Sequence, residues 1–323
     1  MSRVDKRLAF LWGIVLWSAV LLGFFSPPYY QSLLIFLFIY GTLALSYDIM
    51  GGLLGYMNLG IIIFYGVGAY VFALTINYLH SFLSELAVLF IAAASSSVAV
   101  CALVSLTLSY PLFRVKGFYF AVITLGLIGF VNLLVSSPEL SPLTGGFSGI
   151  SIKSQVTQYG SQLVSYFLAL AVITIGAVVY VLVKNSSLGL FFSCIKEDEE
   201  ASECTGINLF RVKQTAFIIS SVLAGLAGVV YMWSQTYTNP RFVFSIDFAF
   251  LPITMALLGG SGTLVGSFIG AAIFTVVYQL LIINMPSLTK SVIGLVLIGV
   301  GLGASHGLIG LSRKVFSRLQ NIS

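Results

Sequence analysis

The sequence predicts an all-α polytopic membrane protein, and three observations carry that expectation. Of 323 residues, 59% are hydrophobic and only 8% charged, against the roughly 25% charged residues of an ordinary soluble domain. Mean hydropathy is +1.06. Apolar runs close to the ~20 residues that cross a bilayer recur along the chain. The 32 glycines and 14% aromatics agree with this, since glycine lets helices approach closely and aromatic rings favour the interface. The formal charge of +5 is spread over short loops and both ends without a contiguous patch. It reads as an orientation signal rather than an affinity for nucleic acid.

Taken in order, the predicted spans are Leu8–Phe25, Gln31–Tyr47, Leu59–Leu79, Leu86–Leu108, Phe118–Val135, Leu163–Val183, Thr215–Trp233, Leu264–Ile283 and Val292–Leu311. The first follows the basic start MSRVDKR like a signal peptide. It lacks a small-residue cleavage site and is closed by Pro27-Pro28, so it reads as a retained helix. Basic residues at Arg3, Lys6, Arg7, Arg114, Lys116, Arg313, Lys314 and Arg318 place both termini and the 184–214 loop on the cytoplasmic side. Nine spans cannot put both termini on one side. About ten crossings are therefore expected, the extra one a short or broken helix near Phe248–Gly262. The apolar stretch Phe248–Leu258 alone covers roughly half of the hydrocarbon core, and a helix that stops at glycines inside the membrane often marks a transport pathway. The whole chain, 1–323, is expected to be a single permease domain, with an outer loop over 136–162.

The charged loop over 184–214 stands apart. Lys184, Lys196, Arg211 and Lys213 nearly balance Glu197, Asp198, Glu199, Glu200 and Glu203, which suits either a solvated connection or a surface that meets another protein. A short helix is expected over EDEEASEC, its acids near the positive end of the helix dipole, with Gly206 as the stop.

Asp48 and Asp247 are the acids nearest the apolar core, each either a functional group or a residue at a span end. With Gly259, Gly260 and Gly262 they form the expected solute pathway. Gly266 and Gly270, after Gly262, and Gly225 and Gly228 make smooth helix stripes that report close packing. The doublet Gly51-Gly52, followed by Gly55, Gly60, Gly66 and Gly68, has the texture of the Gly259–Gly270 region and suggests an internal repeat. The run Thr144-Gly145-Gly146-Phe147-Ser148-Gly149 is a tight turn or a ligand-docking loop. Cys101, Cys194 and Cys204 suggest neither a disulfide framework nor a metal site, and His80 and His306 lack partners at ligand spacing. No phosphate loop, G-x-S-x-G or H-E-x-x-H is present, so any ATP must be hydrolysed by another chain.

Four stretches together carry a family resemblance from Gly41 to Leu311. They are LALSYDIMGGLLGYMNLG with the following GVGAY, KGFYFAVITLG, LTGGFSGI, and SSLGLFFSCIKEDEEASECTGINLFRVKQ continuing through NPRFVFSIDFAFLPITMALLGGSGTLVGSFIGA. The chain resembles the LivM-type permease subunits of branched-chain amino acid ABC importers. The resemblance implies that the 184–214 loop holds a coupling helix docking on an ATPase, with Glu200, Ala201 and Gly206 matching the family pattern. Ser202 stands where a second alanine is usual, and Asp48 where the family generally has asparagine. It further implies a second, homologous permease chain, two ABC ATPase subunits, an extracytoplasmic solute-binding protein, membrane lipid, and no cofactor or nucleic acid. The expected cargo is a branched-chain or hydrophobic amino acid, or a related neutral solute such as urea or an amide. The alternative is an ion- or proton-coupled secondary transporter, for which Asp48 and Asp247 are the available intramembrane acids.

Overall fold

A deeply buried central helix, α1 (Pro28–Asp48), organises the bundle. The computed structural model describes residues 23, 26–81, 85–153, 162–285, 291–292, 294–295 and 298–299. The expected span Leu8–Phe25, apart from Gly23, lies outside these, as do most of Val292–Leu311 and the basic C-terminal tail. Helix α1 starts at Pro28, whose missing N–H is harmless in a first turn, and is prolonged by a π-helical turn, Ile49–Leu53. It is apolar all round, as a helix covered on every side must be. Helices α2 (Ile61–Leu79), α3 (Leu86–Leu112) and α4 (Phe118–Ser136) follow. After a one-turn helix α5 (Ser141–Thr144) and a two-residue strand β1 (Ile150–Ser151), α6 covers Gln162–Lys184. Then come α7 (Ser187–Glu197), α8 (Glu199–Cys204) and α9 (Leu209–Gln235). Strand β2 (Tyr237–Thr238), the single turn α10 (Pro240–Val243), α11 (Ile246–Gly259) and α12 (Leu264–Asn284) complete the described part.

Among the described residues, eight segments are long and apolar enough to cross a membrane. Helix α1 packs against α6, α9, α11 and α12, while α2, α3 and α9 form a second tight group. Glycines set these spacings. An added Cβ on Gly68 would lie 2.7 Å from Gly225 Cα, and one on Gly225 would lie 2.6 Å from Cys101 Sγ. At Gly228 it would enter the Tyr65 carbonyl, so α2 and α9 touch backbone to backbone. Gly266 and Gly270 do the same for α12 against α11, a Cβ on Gly270 falling 2.8 Å from Gly259 N. Helices α3 and α4 are covered on few sides, and Ile91, Leu103, Tyr119, Phe130 and Leu133 face outward, as suits lipid or another chain.

Three expectations need correction. The segment expected as Phe248–Leu258 is longer: α10 and α11 together run from Pro240 to Gly259, broken at Phe244-Ser245. The 184–214 loop is mostly helical. Its expected short helix is Glu199–Cys204, because Glu197 closes a preceding helix, α7, that the charge pattern concealed. Helix α9 starts at Leu209 rather than Thr215, since Asn208 caps it by accepting the Arg211 N–H at 3.1 Å. That cap removes six residues from the loop and places them on a membrane helix.

The bundle has two chemically distinct ends. One gathers α7, α8, the 54–60 turn and the turn carrying Arg114 and Lys116, whose charge bears on Glu199. The other holds the antiparallel pair β1–β2. There Gly145, Gly146 and Gly149 take positive φ, and Tyr237 Oη donates to the Ser148 carbonyl at 2.7 Å. The Thr144–Gly149 run is thus a tight turn docked on the segment leading into α10.

Candidate functional site

The charged hairpin α7–α8 is built from local capping. Asp198, in extended conformation between the two helices, accepts the N–H groups of Glu200 and Ala201 through Oδ1 at 2.9 and 3.0 Å. Helix α8 ends at Cys204 with Thr205 as its cap, and Gly206 follows with φ +87° in open space. A side chain there meets no neighbour but forces an L-residue into the left-handed region, costing about 1 kcal/mol. Glu200 and Ala201 are exposed, whereas Ser202 is buried and donates to the Asp198 carbonyl at 2.7 Å. The serine therefore faces the bundle, away from the exposed surface.

Glu199 turns the other way. Its carboxylate pairs with Lys213 on α9 and accepts the Tyr56 hydroxyl, and Lys213 also donates to Tyr56 Oη at 2.7 Å. Lys213 is buried. Burial pushes the Glu199 carboxyl upward, but the hydrogen bonds from Lys213 and Tyr56 and the charges of Lys213 and Lys116 outweigh it and hold it below the usual carboxylate range. The Tyr56 ring sits 5.4 Å from Phe120 and 6.4 Å from Phe113. Phe120 opens α4. One carboxylate thus links α8 to α9 and, through an aromatic contact, to α4.

A second knot ties α7 to one glycine break and the end of α6 to the other. Lys196 on α7 donates to the Gly52 carbonyl at 2.6 Å, and Lys184 at the end of α6 donates to the Gly262 carbonyl at 2.7 Å. Between these carbonyls lies Asp48, fully buried. It accepts the Gly262 N–H at 2.9 and 3.0 Å and the Tyr180 hydroxyl at 2.7 Å. An added Cβ on Gly52 would strike the Asp48 carboxylate and lie 2.6 Å from Gly262 N. The two glycine-rich stretches that look alike in sequence therefore meet in space across one carboxylate. Asp48→Leu removes the acceptor for the buried Tyr180 hydroxyl and the half-buried Gly262 N–H, and the expected loss is about 2–4 kcal/mol in thermal unfolding of the purified protein. Asp48→Asn keeps one acceptor oxygen and should lose less than half as much. Equal melting of Asp48→Leu and wild type would mean that the carboxylate does not hold the Gly262 turn to Tyr180.

Of the residues singled out in the sequence, Asp48, Gly259, Gly260 and Gly262 gather here. Gly260 and Gly262 take φ of +120° and +79°. Asp247 does not join them. It is exposed in the first turn of α11, at the other end of the bundle. Sequence reasoning missed Glu199, Lys213, Tyr56, Tyr180 and Lys196 in these roles. One signal was available: on a helix begun at Leu209, Lys213 shares its buried stripe with Ala216, Phe217, Ser220 and Ala224, and a lysine on such a face calls for an anion.

A family described as "Branched-chain amino acid transport system / permease component" matches residues 29–301. The chain belongs to that family. Among its relatives, the high-affinity branched-chain amino acid transport system permease protein LivM of Escherichia coli K12 is 27% identical over 303 residues, covering 85% of this chain and 68% of that protein. Its Salmonella typhimurium LT2 counterpart is 28% identical over 270 residues, or 75% and 61% of the two chains. A more distant relative, the ribose import permease protein RbsC of Haemophilus influenzae, is 24% identical over 169 residues, half of each chain. The permease spans about two thirds of the LivM proteins it matches. Such matches make it a multi-pass transport permease, and the relatives' different cargoes leave the solute to be argued from the site.

Proposed function

We propose that this chain is one permease subunit of an ATP-driven importer for branched-chain or other hydrophobic amino acids, or a related small neutral solute such as urea or an amide. It works beside a second homologous permease chain, two ABC ATPase subunits and an extracytoplasmic solute-binding protein. In this reading the termini and the α7–α8 end face the cytoplasm. The observation that carries it is the build of α8. Glu200 and Ala201 are presented outward on a capped helix whose Glu199 is anchored into the bundle. A partner that pushes on Glu200 must move Glu199, and with it α9 and the 54–60 turn. Lys196 on α7 holds the Gly52 carbonyl, and Asp48 beside it holds the Gly262 N–H, so the push on the hairpin reaches both glycine breaks. ATP binding would thus switch the bundle between outward and inward access without any chemistry on this chain.

The test is ATP hydrolysis by the purified complex, with and without loaded binding protein. Glu200→Arg removes a docking contact, and a lost charge-assisted hydrogen bond of roughly 1.5–3 kcal/mol weakens docking about ten- to a hundredfold. Gly206→Val changes the direction of the chain leaving α8. Both variants should reach the membrane yet lose stimulation, and normal stimulation in both would reduce the hairpin to a solvated connection. Uptake of a panel of amino acids, amides and urea into vesicles holding the complex assigns the solute class.

A further inference from the structure

Helix α2 begins inside the bundle rather than at its edge. Gly60, which precedes it, packs against Thr124, an added Cβ there falling 3.2 Å from Thr124 Cβ. Thr124 lies six residues (118 to 124), or about 9 Å, into the membrane-spanning helix α4. The 54–60 turn therefore dips from the charged end into the bundle, at a depth where irregular backbone is tolerated only if protein covers it or it lines a solute path. The start of α2 has no side-chain cap, and Ile61 and Ile62 are fully buried, so the positive end of a 19-residue helix faces the interior without an acceptor side chain. Beside it stands Asn58. Its side chain is fully buried, and neither Nδ2 nor Oδ1 has a hydrogen-bond partner among the described residues. The Oδ1 atom lies 3.4 Å from the position of an added Cβ on Gly60, which puts the amide at the mouth of the helix. Buried side-chain amides nearly always find partners, because leaving both ends unpaired lowers stability.

We infer that Asn58 and the uncapped start of α2 form a station inside the bundle that takes the carbonyl or carboxylate oxygen of a passing solute. The Asn58 amide nitrogen and the first N–H groups of α2 supply the donors, and the helix N-terminus favours whatever negative charge the oxygen carries. Asn58 Oδ1 is left to accept an N–H of the same solute. The amide is closed off in this structure, so solute reaches it only when the helices part. The turn is tied to the hairpin that a partner would move. Tyr56, two residues before Asn58, donates to Glu199 and accepts from Lys213, and an added Cβ on Gly55 would lie 2.9 Å from Lys196 Cγ. A displacement of α7–α8 thus reaches Asn58 through a few residues of backbone. The station rests on the proposed import function and adds to it the residues at which the bundle holds its solute.

The experiment measures uptake of radiolabelled L-leucine, acetamide and urea below saturation in vesicles holding the complete complex, together with thermal unfolding. Asn58→Leu nearly keeps the shape of the side chain and removes both unpaired ends, so it should melt no lower than wild type. Its uptake should fall about tenfold or more for a solute held by a carboxylate, and about three- to tenfold for one held by a neutral carbonyl. Asn58→Ser keeps a donor and an acceptor on a shorter chain, so it should recover part of the uptake while melting below Asn58→Leu. That reversed order separates solute contact from folding. The solute whose uptake falls identifies the source of the oxygen, leucine for a carboxylate and acetamide or urea for a neutral carbonyl. Wild-type uptake by Asn58→Leu overturns the station alone. So does melting of Asn58→Leu well below wild type, which would make the amide a structural group bonded to an ordered water. A wild-type complex that imports none of the three solutes on addition of ATP overturns the proposed import function and the station with it.

Discussion

Glu199→Ala is expected to destabilise the protein by about 3 kcal/mol and to uncouple ATP hydrolysis from loaded binding protein. The reason is the asymmetry of the pair. Lys213 is buried, while Glu199 keeps part of its side chain in contact with solvent. Removing the carboxylate strands a buried ammonium, with only Tyr56 left to accept from it. Breaking a buried pair from one side costs roughly 3–5 kcal/mol, and the partial exposure of Glu199 puts this case at the lower end. Lys213→Ala should cost less, because water can replace the lysine at the carboxylate. Tyr56→Phe keeps the aromatic contact with Phe120 and loses one hydroxyl, about 1 kcal/mol. The order Glu199→Ala, Lys213→Ala, Tyr56→Phe in thermal unfolding is the result to check, and an inverted order would mean that Lys213 is solvated in solution.

The same pair makes a pH prediction. The Glu199 carboxyl lies below its ordinary value of 4.5, so the unfolded chain binds the proton more readily than the folded one. Its contribution is fully present above pH 4.5 and is lost as pH falls through the folded-state value. Glu199→Gln should flatten that acid limb while leaving the slope above pH 5 unchanged. A variant with the same acid limb as wild type would assign it to another carboxylate.

Gly260→Val should abolish uptake in a complex that still assembles. Gly260 follows α11 at φ +120°, where a β-branched residue is an outlier. Its N–H closes α11 on the Ala256 carbonyl at 3.0 Å, and its own carbonyl accepts the Thr263 hydroxyl at 2.9 Å. Strain of about 1–3 kcal/mol would therefore be released by moving the turn that joins α11 to α12. That turn carries Gly262, which Asp48 and Lys184 grip from both sides of its peptide. Gly260→Ala meets the same backbone restriction without branching and should retain partial uptake. Full uptake by assembled Gly260→Val would remove the glycine break from the pathway.

Much of this was legible in the sequence because it depends on local, periodic chemistry. Apolar runs of bilayer length located every described span to within a few residues, apart from the start of α9 and the segment around Phe248. Glycine spacing anticipated surfaces where α2 meets α9 and α11 meets α12. Acids before a glycine located α8, since capping and the dipole act within one turn. The tertiary structure alone decided which charges meet. Glu199 and Lys213 are 14 positions apart, Tyr56 is 143 from Glu199, and Asp48 is 214 from Gly262. No periodicity links such positions, because the folded path sets their separation. Nor could composition show that α1 is central while α3 and α4 are peripheral: each is apolar around its circumference, and lipid and protein interior favour the same side chains.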